Sequence, residues 1–149
     1  MILAEHLLAI ERIKALKARY FRHLDTKNWV EFGRVFAANG SLEVRPIGGA
    51  PPWRGETGAE AIVSWVSGLF NNATTLHHGH MPEIEILSPE HASGIWAMDD
   101  IVIWPNRSLH GWGHYHETYV CEAGDWKIAT SYLTQLRVEM REHSEEKQK

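Results

Sequence analysis

The chain has 149 residues, of which 44% are hydrophobic and 23% are charged, and its formal net charge at pH 7 is -4. This length fits one domain, and the proportions are ordinary for a globular protein. The acidic balance argues against nucleic acid or an anionic membrane as a partner. The single cysteine, Cys121, cannot form an internal disulfide, so the fold does not depend on an oxidising compartment.

The N-terminal segment bears on where the protein works. Residues 1–8 are apolar but interrupted by Glu5 and His6, and they carry neither a positively charged leader nor a cleavage site. No apolar run reaches the length that a membrane-spanning helix needs. We therefore expect a cytoplasmic protein.

The first 70 residues are mostly helical in pattern. Apolar side chains recur at spacings of three and four over residues 2–24, which predicts an amphipathic helix with the stripe Leu3, Leu7, Ile10, Ile13, Leu16 and Tyr20. Residues 25–28 break this pattern and can cap a second, short helix through residues 29–36, which Asn39-Gly40 should end. Residues 41–45 alternate as a strand, residues 46–52 form a loop, and a third helix is expected to start at Thr57-Gly58.

The second half of the chain is a run of strands. They are predicted at residues 74–87, 92–104, 109–121 and 126–138, with short turn-like connections. Short connections favour antiparallel pairing, and helices followed by strands indicate an α+β fold. We expect one domain over residues 1–139, in which a long curved sheet packs on the N-terminal helices and encloses a pocket. Residues 140–149 are expected to be a polar, frayed C-terminal tail.

The strand over residues 95–104 is apolar on both faces. One face carries Trp96, Met98, Asp100, Val102 and Trp104, and the other carries Ile95, Ala97, Asp99, Ile101 and Ile103. Such a strand is covered on both sides, and we expect helices on one side and another subunit on the other. A carboxylate on an apolar face is costly unless it is paired, so at least one of Asp99 and Asp100 should have a partner.

Four residues are candidates for a general acid–base site: Tyr20, Asp25, His77 and Asp100. A phenol, two carboxylates and an imidazole that converge on one pocket can remove and return protons. Tyr20 and Asp25 are five residues apart, about 140° around a helix, so they converge only if the helix ends near Leu24. Taken alone, Tyr20 could be a core residue and Asp25 a helix cap.

The histidines of residues 77–80 cannot all face one cavity. His77 lies on the opposite strand face from His78 and His80. We interpret His78 and His80 as surface or structural histidines, and His77 as the candidate base.

Other kinds of site fit the sequence less well. His114 and His116 with Glu117 and Glu122 suggest a metal site of nitrogen and oxygen ligands, but the usual spacing of such sites on a sheet is not met. No Gly-x-Ser-x-Gly elbow and no glycine-rich phosphate loop occurs in the chain. We therefore expect neither a metal nor a cofactor.

Three segments carry a resemblance to a known family. They are residues 13–25, the His-x-Gly-His-x-Pro-Glu-Ile run of residues 77–84, and Tyr119 followed by Gly-Asp-Trp-Lys-Ile at residues 124–128. With these, residues 13–138 resemble the SnoaL-like branch of the nuclear transport factor 2-like (cystatin-like) superfamily. The resemblance implies a cone-shaped α+β barrel and a homodimer or homotrimer.

Within that superfamily the pattern is most similar to lyases of the bile acid 7α-dehydratase and scytalone dehydratase type. The active-site pattern of the bile acid 7α-dehydratase type, carried over residue by residue, falls on Tyr20, Asp25, His77 and Asp100. The resemblance implies a cofactor-independent dehydratase acting on a small apolar, ring-containing, steroid-like or aromatic hydroxy compound. The same fold also serves isomerases of the ketosteroid isomerase kind and binding or oligomerisation modules without catalysis, and both alternatives stay open.

The resemblance also suggests a role for each residue. His77, held by Asp25 or Asp100, would remove a proton, Tyr20 would donate a hydrogen bond to the departing or developing oxygen, and the second Asp would be the acid. Large apolar side chains would form the substrate walls, and the candidates are Trp96, Met98, Trp104 and Trp112. Residues 46–52 and 109–116 depart from the dehydratase pattern, which leaves the steroid substrate open.

Overall fold

A computed structural model describes residues 3–51 and 53–144 of the chain. The helices of this part are α1 (Leu3–Asp25), α2 (Trp29–Arg34) and α3 (Ala59–Phe70). The strands are β1 (Phe36–Arg45), β2 (Arg54–Thr57), β3 (Thr74–Ser88), β4 (His91–Trp104), β5 (Arg107–Glu122) and β6 (Asp125–Glu142). None of the helices in the described ranges is long and apolar enough to cross a membrane.

The strands form one curved, mixed sheet that is not closed. Its order is β2-β1-β6-β5-β4-β3, so that β2 and β3 are the edges. Only β1 and β6 pair in parallel, and every other neighbouring pair is antiparallel. The predicted α+β class, with helices before a mostly antiparallel sheet, is confirmed, whereas the barrel is open between β2 and β3.

Helix α1 packs its apolar stripe on the concave face of this sheet. Ile13, Leu16 and Leu24 are almost completely buried, as the spacing of three and four requires for one helix face. Each such side chain contributes about 1.5–3 kcal/mol when it leaves water. Leu3 and Leu7, which the predicted stripe includes, are instead exposed, so the buried part of the stripe begins at the third turn.

The segment between α2 and α3 differs from the prediction. Helix α2 ends at Arg34, and Asn39-Gly40 lies within β1 instead of ending a helix. Strand β2 was not predicted; it forms an antiparallel edge hairpin with β1. All four of its residues are exposed, so it lacks the alternation of apolar and polar residues by which a half-buried strand is recognised. The start of α3, just after Gly58, is confirmed.

The long strands lie close to their predicted positions, with two differences. Strand β3 contains an irregularity between His80 and Glu83, at Met81 with a φ of 41°, and such a bulge changes which residues face the core. Strand β6 continues to Glu142, so residues 140–142 of the predicted tail are strand. Residues 145–149 lie outside the described part of the chain.

The two faces of β4 are buried unequally. Trp96, Met98 and Val102 are buried against the helices, as predicted, whereas Ile95 and Ile103 on the outer face are 38% and 40% exposed. The coverage of this outer face by another subunit stays a prediction.

Candidate active site

The end of α1 brings a carboxylate to β3 across 52 residues of sequence. Asp25 is the last residue of the helix, and its Oδ1 lies 2.7 Å from Nδ1 of His77. The backbone N–H of His77 donates to the other oxygen, Oδ2, at 2.9 Å, and the Thr75 hydroxyl donates to Oδ1 at 2.8 Å. Asp25 is not a helix cap, since Asn28 accepts from the first turn of α2. The structure thus brings together Asp25 and His77.

This contact sets the chemistry of the His77 ring. When Nδ1–H donates to the carboxylate, the proton-free ring nitrogen is Nε2, which can act as a base. Nε2 has no protein hydrogen bond among the described residues. His23 Nδ1 is the one buried side-chain nitrogen or oxygen in that part of the chain without a partner. It follows that Nε2 of His77 is open to solvent space, although the residue is 8% exposed.

Asp100 lies beside His77 in the sheet without bonding its ring. The two residues are direct partners in the pairing of β3 with β4. The Tyr115 hydroxyl donates to Oδ2 of Asp100 at 2.6 Å, and the backbone N–H of His78 donates to Oδ1 at 3.1 Å. Of the two carboxylates, Asp25 is therefore the one that orients His77.

The two carboxyl groups have pKa values displaced in opposite directions. Burial raises the pKa of Asp25, but hydrogen bonds from the side chain and backbone of His77 lower it by more, with help from Thr75, so it lies below its ordinary value. Burial raises the pKa of Asp100 and prevails over the opposing effects of His77, Tyr115 and Lys17. Neighbouring carboxyls with separated pKa values are a common arrangement where one group serves as acid and another as base.

Tyr20 is buried on α1, with its ring among other aromatic side chains. It contacts the rings of Phe21, Phe32 and Phe36 at 5.2–6.0 Å and that of Tyr115 at 6.1 Å. Burial, reinforced by the negative charges of nearby carboxylates, raises the pKa of Tyr20 well above its ordinary value. The phenol is therefore protonated at neutral pH. Its hydroxyl makes no hydrogen bond within the described residues, so it is free to donate one.

Three of the four predicted substrate-wall residues face the helices, and the fourth, Trp112, does not. Trp96 and Met98 face inward but belong to the buried core, where the indole N–H of Trp96 donates to the Tyr119 hydroxyl at 2.8 Å. Trp104 also faces inward and donates to the backbone oxygen of Leu69 at 3.0 Å.

The prediction that Trp112 lines the substrate pocket is wrong, because Trp112 lies on the outer face of the sheet. It pairs with Asp99 of β4 and stacks on His110 at 3.8 Å. Since Asp100 faces inward, its neighbour Asp99 and the partner of Asp99 face outward. Trp112 therefore cannot line a pocket between helices and sheet.

An unpredicted aromatic side chain closes one side of the site. Phe70 is the last residue of α3, and its ring lies 5.7 Å from that of His77 and 6.2 Å from that of Trp104. The sequence places Phe70 on an apolar helix stripe, which is equally consistent with core packing. The two largest clefts that we describe, of about 530 and 700 Å³, lie over the outer face and do not include His77.

The polar partners of the two carboxylates, Thr75 and Tyr115, were not predicted. Thr75 is two residues before His77, and this spacing on one strand face was an available signal. Tyr115 lies between His114 and His116, which were considered as metal ligands. Strand alternation turns Tyr115 inward and both histidines outward. The described part of the chain contains no group of three or more His, Cys, Asp or Glu that could hold a metal ion.

Comparisons with known proteins agree on the fold. Residues 5–132 match the SnoaL-like domain family. A scytalone dehydratase-like protein of Novosphingobium aromaticivorans is 23% identical, with a TM-score of 0.80 over 93% of this chain and 91% of that chain. A hexachlorocyclohexane dehydrochlorinase of Novosphingobium barchaimii is 15% identical, with a TM-score of 0.77 over 93% of each chain. A cystatin-like protein of Nostoc punctiforme is 15% identical, with a TM-score of 0.68 over 86% of this chain and 91% of that chain. The protein described here thus belongs to the SnoaL-like domain family, and it shares the cystatin-like fold of its structural neighbours.

Proposed function

We propose that the protein is a cofactor-independent lyase of the dehydratase type. Its substrate would be a small, mostly apolar, ring-containing compound with a hydroxyl group β to a carbonyl. The observation that carries this proposal is that the Asp25 carboxylate forms hydrogen bonds with both the ring and the backbone N–H of His77. It fixes one tautomer of the imidazole and leaves Nε2 unpaired, as a general base requires.

The proposed reaction needs one base that also returns its proton. Nε2 of His77 removes the proton from the carbon next to the carbonyl, and Asp25 stabilises the imidazolium that forms. The electron pair of the broken C–H bond forms the new C=C bond as the C–O bond to the hydroxyl breaks. The departing oxygen takes the proton from the imidazolium and leaves as water, so His77 ends in its initial form.

Tyr20 and Asp100 support this step in different ways. The protonated, unpaired hydroxyl of Tyr20 would donate to the carbonyl oxygen, whose negative charge grows as the proton leaves. The oxygens of Asp100 already accept from Tyr115 and from the backbone of His78. We therefore assign the return of the proton to His77, and we assign to Asp100 a second negative charge beside the imidazolium.

Two structural neighbours support an elimination. Their names describe the loss of water and the loss of hydrogen chloride, respectively. Both reactions remove a proton from carbon and expel a leaving group from the neighbouring carbon. At 23% and 15% identity these neighbours share the fold with this chain, so the substrate class proposed here depends on the dyad and its aromatic surroundings.

The test is a turnover screen of the purified protein against polycyclic and aromatic β-hydroxy carbonyl compounds, with hydroxylated keto steroids among them. Loss of water would be followed by mass spectrometry. His77→Ala is expected to reduce kcat by about 10²–10⁴-fold. His78→Ala is the matched control, because the adjacent imidazole lies exposed on the other face of β3; it should leave kcat within about twofold.

A parallel incubation in D₂O separates the alternatives. An isomerase built on the same dyad would give a product of unchanged mass that carries deuterium only when His77 is present. Equal turnover in the wild type and His77→Ala would rule out the mechanism. Absence of both water loss and deuterium exchange across the panel would contradict the lyase and favour a binding module.

A further inference from the structure

A completely buried ion pair lies next to the site, and the proposed reaction does not use it. Lys17 on α1 and Glu117 on β5 are both inaccessible to solvent, and Lys17 Nζ lies 2.5 Å from Oε1 of Glu117. The Ser131 hydroxyl donates to the same oxygen at 2.9 Å, and the Tyr119 hydroxyl donates to Oε2 at 2.6 Å. Glu117 is thus held by three donors from three elements.

The ammonium group of Lys17 lies against the two phenol rings of the site. Nζ is 3.7 Å from the ring centroid of Tyr115 and 4.0 Å from that of Tyr20. Both distances are within the range of cation–π attraction. Since the Tyr115 hydroxyl donates to Asp100 at 2.6 Å, one short path of contacts leads from Lys17 through Tyr115 to the carboxylate beside His77.

Stability alone does not account for this pair. Removing two charges from water costs several kcal/mol per ion, and apolar replacements of buried pairs are often neutral or stabilising. Burial lowers the pKa of Lys17, although the carboxylate of Glu117 opposes this effect. Stability is therefore not a sufficient reason for a buried pair, and this one lies one side chain from the site.

We propose that Lys17, held in place by Glu117, is a positioning residue that fixes the Tyr115 phenol on Asp100 and supplies a positive charge close to that carboxylate, beside His77. Its catalytic meaning depends on the proposed function, but its effect on Asp100 can be measured without turnover. The Glu117 carboxylate accepts hydrogen bonds from Tyr119 and Ser131. The positively charged group of the pair, Lys17 Nζ, is the one that contacts the Tyr20 and Tyr115 rings.

The groups that act on Asp100 define the expected sign. They are the charges of His77 and Lys17, the Tyr115 hydroxyl and the backbone N–H of His78. All of them favour the carboxylate, against the burial that disfavours it. The charge of Lys17 is among the groups that act on Asp100, and that of Glu117 is not. Removing both charges should therefore move the titration of Asp100 further upward.

The experiment is a ¹³C NMR titration of protein labelled at the aspartate carboxyls. The chain has four aspartates, at positions 25, 99, 100 and 125, so the spectrum is simple, and single Asp→Asn variants assign it. In Lys17→Met/Glu117→Gln the Asp100 midpoint should rise by about 0.5 pH unit or more, while the Asp99 and Asp125 midpoints stay unchanged. Lys14→Met/Glu11→Gln removes a surface pair of the same helix and should shift none of the four.

An unchanged Asp100 midpoint in the folded double variant would overturn the proposal. If that variant does not fold, Lys17→Gln/Glu117→Gln replaces it, because the two amides keep a hydrogen bond without either charge. The Asp100 midpoint must then rise by the same amount in this second variant. Where turnover is found, the pH profile of kcat should shift with the Asp100 midpoint; a changed Tm with an unshifted profile would mark a purely structural pair. Failure of the turnover screen leaves the NMR result intact, so the two proposals can fail separately.

Discussion

Two His–Asp pairs lie in the described part of the chain, one on each face of the sheet. On the inner face His77 Nδ1 lies 2.7 Å from Asp25, and on the outer face His110 Nε2 lies 2.5 Å from Asp99. The side chains of the inner pair are 7% and 22% exposed, and those of the outer pair are 34% and 41% exposed. The outer pair has the shorter contact, so distance alone does not identify the site.

The surroundings of the two carboxylates differ more than their contacts. Asp25 also accepts from the backbone of His77 and from Thr75, whereas in the described residues the Asp99 carboxylate accepts only from His110. Water screens an exposed pair and reduces what it contributes. Burial and additional donors to the carboxylate, more than the ion pair itself, therefore distinguish the His77 pair from the His110 pair.

The largest expected effect is on turnover in Asp25→Asn. The amide keeps one acceptor oxygen but places an NH₂ where the carboxylate accepted a hydrogen bond, and it cannot stabilise the imidazolium. We expect kcat/KM to fall by about 10²–10⁴-fold. Asp99→Asn, the matched change on the outer pair, should alter kcat/KM by less than about twofold. Comparable losses of kcat/KM in both variants would contradict the proposed difference between the inner and the outer pair.

Patterns that depend on local repetition could be predicted from the sequence. The stripe of α1 and the four long strands follow from periods of 3.6 and 2, because each period records one buried face. His77 faces away from His78 and His80 for the same reason. The end of α1 near Leu24 was predicted from the break in its pattern, whereas the family resemblance was needed to suggest that Asp25 or Asp100 holds His77.

Features that depend on a partner strand could not be predicted in this way. Asn39-Gly40 has the composition of a turn, yet it lies in β1, whose pairing with β6 involves residues some 90 positions away. The outward direction of Trp112 depends on its register with Asp99. The burial of Lys17 was not predicted, because its partner Glu117 lies 100 residues further along the chain.

An intermediate effect is expected on the pH dependence of stability. The pKa of Asp25 is lowered in the folded protein, so its contribution is fully present above its unfolded pKa, near 3.9. This contribution is lost as the pH falls through the lower, folded value. At pH 7 Asp25→Asn should reduce the free energy of unfolding by about 2 kcal/mol, through the hydrogen bonds lost.

This difference should shrink steadily below pH 4, where the wild-type carboxyl takes up its proton. Urea denaturation of wild type and variant at a series of pH values measures it directly. Asp99→Asn, on the more exposed pair, is the control and should reduce the free energy of unfolding at pH 7 by less than Asp25→Asn does. If Asp25→Asn lowers the free energy of unfolding equally at pH 7 and well below pH 4, the contribution of the ionised carboxylate would not explain the loss. The amide would then act by disturbing the packing around it.

The smallest expected effect is the coupling within the outer pair. A double-mutant cycle of Asp99→Asn and His110→Ala should give a coupling energy of about 0.2–1 kcal/mol that declines with added salt, since both side chains are partly in water. His110 also stacks on Trp112 at 3.8 Å, and that contact survives in Asp99→Asn, so most of the cost of His110→Ala should be independent of Asp99. A coupling energy of 2 kcal/mol or more in this cycle would show that the pair is strong despite its exposure. Burial would then no longer explain the difference between the two faces, and the extra donors to Asp25 would be left as the distinguishing feature.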